Sequence, residues 1–325
     1  MSPEATLHAV RLAPARLFVS ATFPVLGLSL RVESNSPRVI AAAEQAFGPP
    51  SPVDRGARGA RVRVRVRPAR AGDERGPVSH GVPRRNLLLL SSPGCSGYAD
   101  TVLGEAMVEV GEGLLDDRQH FRSGVLEALA LFLLARMDRD PLHAAAVARG
   151  GTALLLAGRS GVGKSTLVYA AARAGLRVLS EDAVYLQLDP LRVWGMPRFV
   201  HLMPEAARFF PELSAVRPRL LFNGKTKLAM DLRTLSPAPG GPAVAERAGI
   251  CLLARGRTPG VERVDAREAV EALTAAPEAG FDLFADSVGA RIARVAAQGA
   301  WRVTLPPHPA DAVPMLHELL DALER

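Results

Sequence analysis

One glycine-rich segment, with an apolar run before it and a helical pattern after it, constrains this chain more than any other feature. Residues 158–165 read GRSGVGKS, which matches the pattern G-x-x-x-x-G-K-[ST]. The residues before it, Thr152–Ala157 (TALLLA), are apolar and predict a buried strand, and residues 166–174 predict a helix. Strand, glycine loop and helix follow one another as they do around a phosphate-binding loop. We therefore expect an α/β domain built on this segment.

The residue types in this loop suit a polyphosphate that is bound together with a divalent cation. Glycines let backbone N–H groups turn toward phosphate oxygens, Lys164 supplies a compact positive charge, and Ser165 offers a hydroxyl to Mg²⁺. The N-terminus of the following helix adds its own attraction for anions. We predict that a nucleoside triphosphate is bound by the loop and the residue after it: Gly158, Arg159, Ser160, Gly161, Val162, Gly163, Lys164, Ser165 and Thr166.

Length and cysteine content limit the class of protein. A chain of 325 residues suits one large domain or two ordinary domains. It has no apolar stretch close to the ~20 residues that cross a bilayer, so we expect no membrane span. The two cysteines, Cys95 and Cys251, are far apart and give neither a disulfide framework nor zinc-ligand spacing. We therefore expect a cytoplasmic protein.

The positive net charge does not by itself indicate nucleic-acid binding. The formal net charge is +7, but only three of the forty basic residues are lysines and the arginines are widely spread. One exception, RVRVRVR at residues 61–67, puts three valines on one strand face and four arginines on the other. Such a face could meet an anionic partner, but we favour a solvated sheet face and expect no nucleic-acid partner.

The chain divides into a β-rich first part and a nucleotide-binding second part. Residues 1–120 predict an N-terminal α+β domain with a helix at 36–47 and loops at 48–60 and 68–85. Its predicted strands are 17–22, 29–33, 61–67, 87–90 and 107–110. Residues 121–325 predict a mixed sheet flanked by helices, which begins with a helix at 121–137. Further predicted elements are strands at 250–254 and 302–305 and helices at 267–275, 282–298 and 312–323.

Spacing around the loop brings three more polar residues toward it. Residues 143–148 and Thr152–Ala157 predict a tight hairpin, which places His143 opposite Ala157 at the mouth of the loop. A helix at 164–174 and a strand at 176–180 are nearly equal in length, so Glu181 and Asp182 return to the level of the phosphates.

These three residues suit phosphoryl transfer. One carboxylate could hold Mg²⁺ and the other could accept a proton from the attacking hydroxyl, while His143 could orient that base. We predict catalytic roles for His143, Lys164, Glu181 and Asp182, and a metal site at Ser165 and Asp182.

The same residues carry a resemblance to a known family. Residues 142–325, and most strongly 142–190, resemble the catalytic domain of the HPr kinase/phosphorylase family. The similarity covers His143, the glycine loop, Gly175 at the end of the helix, and the acidic pair Glu181 and Asp182. That family has a fold similar to phosphoenolpyruvate carboxykinase and phosphorylates a serine of a small protein with ATP and Mg²⁺. The resemblance implies ATP in the loop, Mg²⁺ at Ser165, Glu181 as general base, and His143 assisting it.

Departures from the family pattern narrow what the resemblance implies. The family usually has two adjacent aspartates, whereas the first position here is Glu181, so either Glu181 or Asp182 could take the proton. The glycine-rich signature of phosphorylase activity is not recognisable at residues 195–210, so we expect a kinase without phosphorylase activity. The N-terminal half matches the family poorly, which leaves HPr as the substrate in doubt and a homo-oligomer open.

The predicted function is an ATP-dependent kinase that phosphorylates a serine-type hydroxyl of a protein or peptide. Two alternatives remain open. The acceptor could be a natural-product precursor peptide or a small metabolite. Alternatively, the chain could bind ATP as a regulatory module without transferring phosphate.

Overall fold

The computed structural model describes residues 18–51, 58–71, 73, 76, 78–221, 224–235, 243–275 and 280–325. These residues form two compact units, which lie within Met1–Met137 and Asp138–Arg325. Both units are mixed α/β structures, as the sequence predicted. Residue 17 of the first predicted strand, and parts of the predicted loops 48–60 and 68–85, lie outside the described residues.

The first unit is built on one mixed sheet, which has seven strands among the described residues. Its spatial order is β1-β2-β3-β7-β6-β5-β4. The strands are β1 (Val19–Val25), β2 (Leu28–Ser34), β3 (Gly59–Arg67), β4 (Ser79–Arg84), β5 (Leu87–Ser92), β6 (Cys95–Asp100) and β7 (Glu105–Gly111). Strands β2, β3 and β7 are parallel neighbours, and the other pairs are antiparallel. Helix α1 (Pro37–Phe47) connects the parallel strands β2 and β3.

A long helical segment completes the first unit. It consists of α2 (Arg118–His120), a π-helical stretch (Phe121–Glu127) and α3 (Ala128–Ala135). The π-helical stretch packs against α1, and α3 packs against β3 and β6. Because this segment is apolar and buries its side chains against the first sheet, it belongs to the first unit. The division between the units therefore falls after Met137, beyond the predicted boundary near residue 120.

The arginine-rich strand β3 lies in the centre of the first sheet, between β2 and β7. Val62 and Val64 are fully buried, whereas the arginines face carboxylates on the neighbouring strands. Arg61 and Arg63 contact Glu105 at 2.9 and 3.0 Å. Since the positive charges are paired with carboxylates on the same face, this arrangement favours the solvated sheet face over an anionic-partner surface.

The second unit has helices on both faces of a six-stranded sheet, counted over the described residues. The spatial order of this sheet is β11-β9-β10-β18-β20-β19. The strands of the unit are β8 (Asp140–Leu142), β9 (Ala145–Arg149), β10 (Thr152–Ala157), β11 (Arg177–Ser180), β12 (Val184–Gln187), β13 (Arg192–Trp194), β14 (Phe199–Leu202), β15 (Arg219–Leu220), β16 (Thr226–Asp231), β17 (Val244–Ala245), β18 (Arg247–Arg255), β19 (Gly260–Arg263) and β20 (Ala300–Leu305). The helices are α4 (Lys164–Arg173), α5 (Ala266–Thr274), α6 (Ala285–Ala296) and α7 (Val313–Glu324).

Alternation along β10 explains how this sheet holds two helical layers. Leu154 and Leu156 point into a core shared with α4 and α7, while Leu155 points into the opposite core with α5 and α6. All three leucines are fully buried. A strand that is apolar on both faces is typical of the centre of such a sheet. The loop that follows β10 therefore starts from a rigid, buried base.

Two smaller sheets and several short helices occupy the rest of the second unit. The smaller sheets have the orders β17-β13-β12-β8 and β14-β16-β15. The sequence did not predict the strands β8, β13 to β17 and β19 of this unit. Short 3₁₀ helices across the two units are Glu112–Asp116, Pro204–Arg208, Pro211–Ala215, Leu232–Thr234, Asp282–Phe284 and Pro309–Ala312. Every helix among the described residues is too short or too polar to cross a bilayer.

Both cysteines should be unreactive while the chain is folded. Cys95 and Cys251 are free thiols in the two cores. Burial raises the pKa of the Cys95 thiol to about 12 and raises the pKa of the Cys251 thiol above its ordinary range. Because the thiolate is the reactive form, a raised pKa lowers the reaction rate at pH 8. We expect Ellman's reagent to label neither thiol of the native protein within minutes and both in denaturant. Rapid labelling of a native thiol would contradict this burial.

Candidate active site

The glycine-rich loop, residues 158–163, follows β10 and is held by hydrogen bonds to its own backbone carbonyls. Lys164 Nζ donates to the carbonyl of Gly158 at 2.6 Å, and Arg255 Nε donates to the carbonyl of Val162 at 2.9 Å. These bonds close the loop on itself and tie it to the end of β18. Helix α4 begins at Lys164, directly after the loop, so its N-terminal N–H groups face the same space.

Glycine is required at Gly158 for two reasons. Its φ of 153° lies in a region that other residues rarely adopt, and a Cβ there would lie 2.9 Å from the carbonyl oxygen of Leu253. Gly161 and Gly163 also have positive φ, at 82° and 117°. The loop conformation therefore depends on the two glycines of the sequence pattern, Gly158 and Gly163, and on Gly161 between them.

The hairpin brings His143 beside the loop, with a small difference from the predicted alignment. Strands β9 and β10 are antiparallel, and the last pair is Ala145 with Leu156. His143 lies in the bend before β9, two residues beyond this pair, so it is not directly opposite Ala157 as predicted. Its Nδ1 lies 3.5 Å from Asp182 Oδ1, and its ring packs edge-on against Phe281.

The two acidic residues follow β11 and contact different partners. Ser165 Oγ donates a hydrogen bond to Glu181 Oε1 at 2.5 Å, and the Glu181 side chain is only 9% exposed. The Asp182 side chain is 71% exposed and lies beside His143. The structure therefore gathers two pairs around the loop, Ser165 with Glu181 and His143 with Asp182.

A second histidine, which the sequence did not single out, contacts the first acidic residue. His201 on β14 has its Nδ1 3.4 Å from Glu181 Oε2. Glu181 therefore lies between the Ser165 hydroxyl and the His201 imidazole. A lone histidine in a short strand carries no motif, so only its place in the folded chain reveals it. Arg255, which holds the loop at Val162, was missed for the same reason.

The donor set at Ser165 suits Mg²⁺. The described residues include no group of three or more histidine, cysteine and acidic side chains placed to hold a metal ion. Mg²⁺ does not need one, because it takes one or two protein oxygens and completes its shell with phosphate oxygens and water. The carboxylate beside Ser165 is Glu181, whereas the sequence had assigned Asp182 to the metal.

Two cavities adjoin the loop on different sides. The smaller, about 170 Å³, lies at the helix end of the loop and is lined by residues that include Gly163, Thr166 and Phe209. The larger, about 390 Å³, lies at the strand end and is lined by residues that include His143 and Arg159. The loop therefore has space on both sides for a bound ligand.

Comparisons with known proteins add little to this geometry. No known protein family matches the sequence, and no curated protein does. Among solved structures, the chain matches an HPr(Ser) kinase/phosphatase from Coxiella burnetii with 15% identity and a TM-score of 0.29. The match covers 57% of this chain and 95% of that one. A TM-score this low does not define a function.

Replacing Gly158 with alanine should destabilise the loop. The positive φ and the contact with the Leu253 carbonyl are expected to cost about 1–3 kcal/mol in the free energy of unfolding. Urea unfolding would measure this cost. Gly151→Ala is the matched control, since the added Cβ would have open space among the described residues. Equal stability of the two variants would show that the loop does not have the conformation described.

Proposed function

We propose that this chain is an ATP-dependent kinase that transfers the γ-phosphoryl group to a serine-type hydroxyl of a protein or peptide. One observation carries the proposal. At a phosphate-binding loop, one carboxylate is hydrogen-bonded to the Ser165 hydroxyl and a second, exposed carboxylate lies beside a histidine. Phosphoryl transfer needs both a site for the metal and phosphates and a group that accepts the proton of the attacking hydroxyl.

The loop and helix α4 supply the phosphate-binding part of the site. Backbone N–H groups of the loop and the Lys164 ammonium would bind the phosphates, and Ser165 and Glu181 would hold Mg²⁺. When bound, Mg²⁺ neutralises the charge that develops on the β- and γ-phosphate oxygens. His201 would position Glu181 through its contact with Oε2.

Asp182 is the better candidate for the base. Its carboxylate is exposed, so it can reach an acceptor, and His143 lies beside it to orient it. Glu181 is nearly buried and already accepts a hydrogen bond from Ser165. In the proposed step, the acceptor oxygen attacks the γ-phosphorus while Asp182 takes the hydroxyl proton. The bond from the γ-phosphorus to the bridging oxygen breaks, and ADP leaves.

This assignment differs from the one that the family resemblance implies, in which Glu181 would be the general base. It also differs from the prediction from the residues alone, in which Asp182 would contact the metal. The contacts around the two side chains support the opposite assignment. The family signature of phosphorylase activity is not recognisable, so we also propose that the reaction runs as a kinase without phosphorolysis.

Removing Lys164 should abolish transfer. Lys164→Ala leaves the β- and γ-phosphates without their positive charge, so we expect a loss of about 100-fold or more in rate. The measurement is the transfer of radiolabel from Mg-[γ-³²P]ATP to an array of peptides with a central serine. Thermal unfolding would control for folding. A variant that transfers label at the wild-type rate would refute the proposed kinase activity.

Substitutions of the two carboxylates should impair different steps, one the binding of Mg-ATP and the other the transfer. Glu181→Gln should weaken ATP binding when Mg²⁺ is present but not when EDTA is present, because it removes a metal ligand. Asp182→Asn should leave Mg-ATP affinity unchanged and lower the transfer rate by about 100-fold or more, because it removes the base. Calorimetry would measure binding.

Glu246→Gln is the control for both variants, since the Glu246 side chain is 76% exposed and its ion pair with Arg192, at 3.9 Å, involves no residue of the proposed site. The control should bind and transfer as the wild type does. If Asp182→Asn lost Mg-dependent ATP binding while Glu181→Gln kept it, the two roles would have to be exchanged.

A further inference from the structure

The larger cavity beside the loop has apolar walls, which phosphate binding does not need. It extends from His143 and Arg159 toward helices α5 and α6, and its volume of about 390 Å³ lies in the range of small-ligand pockets. Its walls include the apolar side chains of Leu273, Phe281 and Val288. Phosphates bind to N–H groups and cations, so the apolar wall of this cavity suits a group other than a phosphate.

His143 connects this cavity to the proposed base. Its Nδ1 lies 3.5 Å from Asp182 Oδ1, while its ring packs against Phe281 with centroids 5.5 Å apart. His143 also lines the cavity, as does Gly158 at the start of the loop. A hydroxyl placed at Asp182 would therefore carry its attached group toward the mouth of the cavity.

The small side chains on the two helices keep the cavity open. Ala272 on α5 and Ala285 on α6 line it, and both are exposed to the open space. Val288, one turn along α6 from Ala285, is 7% exposed and lies deeper in the same helix pair. An apolar group that entered here would be removed from water, and each buried CH₂ group is worth about fourfold in affinity.

The cavity is not apolar throughout. Glu268 and Arg302 also line it and form an ion pair with each other. Both side chains are about 40% exposed, so this pair stays in contact with water. Arg302 also pairs with Glu262, and Arg159 lines the cavity at the loop, so the charges lie at its edge. The part walled by Leu273, Phe281 and Val288 therefore favours an apolar group.

We propose that the cavity binds an apolar or aromatic group that is attached next to the acceptor hydroxyl. The acceptor would be a primary alcohol that carries such a group, and its hydroxyl would lie at Asp182 and His143. The same chemistry is found in a small hydroxy compound and in a serine that follows an apolar residue. Phosphorylation of the bound hydroxyl rests on the proposed kinase function, whereas binding in the cavity does not.

Binding is tested with 4-fluorobenzyl alcohol and the full-length chain, followed by ¹⁹F NMR. We expect the ¹⁹F resonance of the alcohol to shift saturably as wild-type protein is added, in the presence of Mg²⁺ and a non-hydrolysable ATP analogue. Ala285→Phe should fill the cavity and weaken binding at least tenfold. Ala290→Phe is the matched control, because Ala290 is exposed on the same helix and does not line the cavity. No saturable shift, or equal binding by Ala285→Phe, would overturn the proposal.

Transfer assays distinguish the two sources of the acceptor. The acceptors are 4-fluorobenzyl alcohol, Ac-Phe-Ser-amide and Ac-Gly-Ser-amide, each with Mg-ATP. A small-molecule acceptor predicts phosphorylation of the alcohol, and a peptide acceptor predicts at least tenfold preference for the phenylalanine peptide over the glycine peptide. Ala285→Phe should abolish phosphorylation of the alcohol in the first case and the preference for the phenylalanine peptide in the second.

Failure of the kinase proposal and failure of the cavity proposal give different results. If the alcohol binds the wild type but not Ala285→Phe, and no acceptor is phosphorylated, the cavity assignment stands and the proposed transfer fails. If both peptides are phosphorylated equally and the alcohol does not compete, the transfer stands and the cavity assignment fails.

Discussion

The hydrogen bond from Ser165 to Glu181 is the contact on which the rest of the site depends. It joins the first turn of α4 to the residue that follows β11, and so closes the strand–loop–helix–strand unit that runs from β10 to β11. Because Glu181 is nearly buried and also contacts His201, its carboxylate has little freedom to move. Asp182 is the next residue in the chain, so fixing Glu181 also fixes the backbone that presents the exposed carboxylate.

The two cores of the second unit explain why this contact can be maintained. Side chains from β10 pack alternately toward α4 and toward α6, so the strand before the loop is buried on both faces. Helix α4 packs against β9 and β11 as well, which fixes the direction in which it leaves the loop. A site built on such elements is more exact in its geometry than one built on loops alone.

The sequence predicted the parts of the fold that are governed by local rules. The hairpin, the loop, helix α4 and strand β11 follow from apolar runs, glycines and equal element lengths. Strand β6 was missed because Gly97 and Ser96 indicate a turn. Gly97 is instead needed for packing, since a Cβ there would lie 2.5 Å from the carbonyl oxygen of Met107. The contact of His201 with Glu181 was equally hidden, because it joins elements that are distant in sequence and β14 has only four residues.

The position of β9 in the sheet has a consequence for the width of the site. Strand β9 lies between β10, which leads into the loop, and β11, which leads to the carboxylates. The two halves of the site are therefore separated by two strand spacings, or about 9–10 Å, instead of one. Helix α4 packs against β9 and β11, and the hydrogen bond from Ser165 to Glu181 joins the two halves across this width. The strand between β10 and β11 thus leaves a bound ligand more room between the loop and the acidic residues than two adjacent strands would.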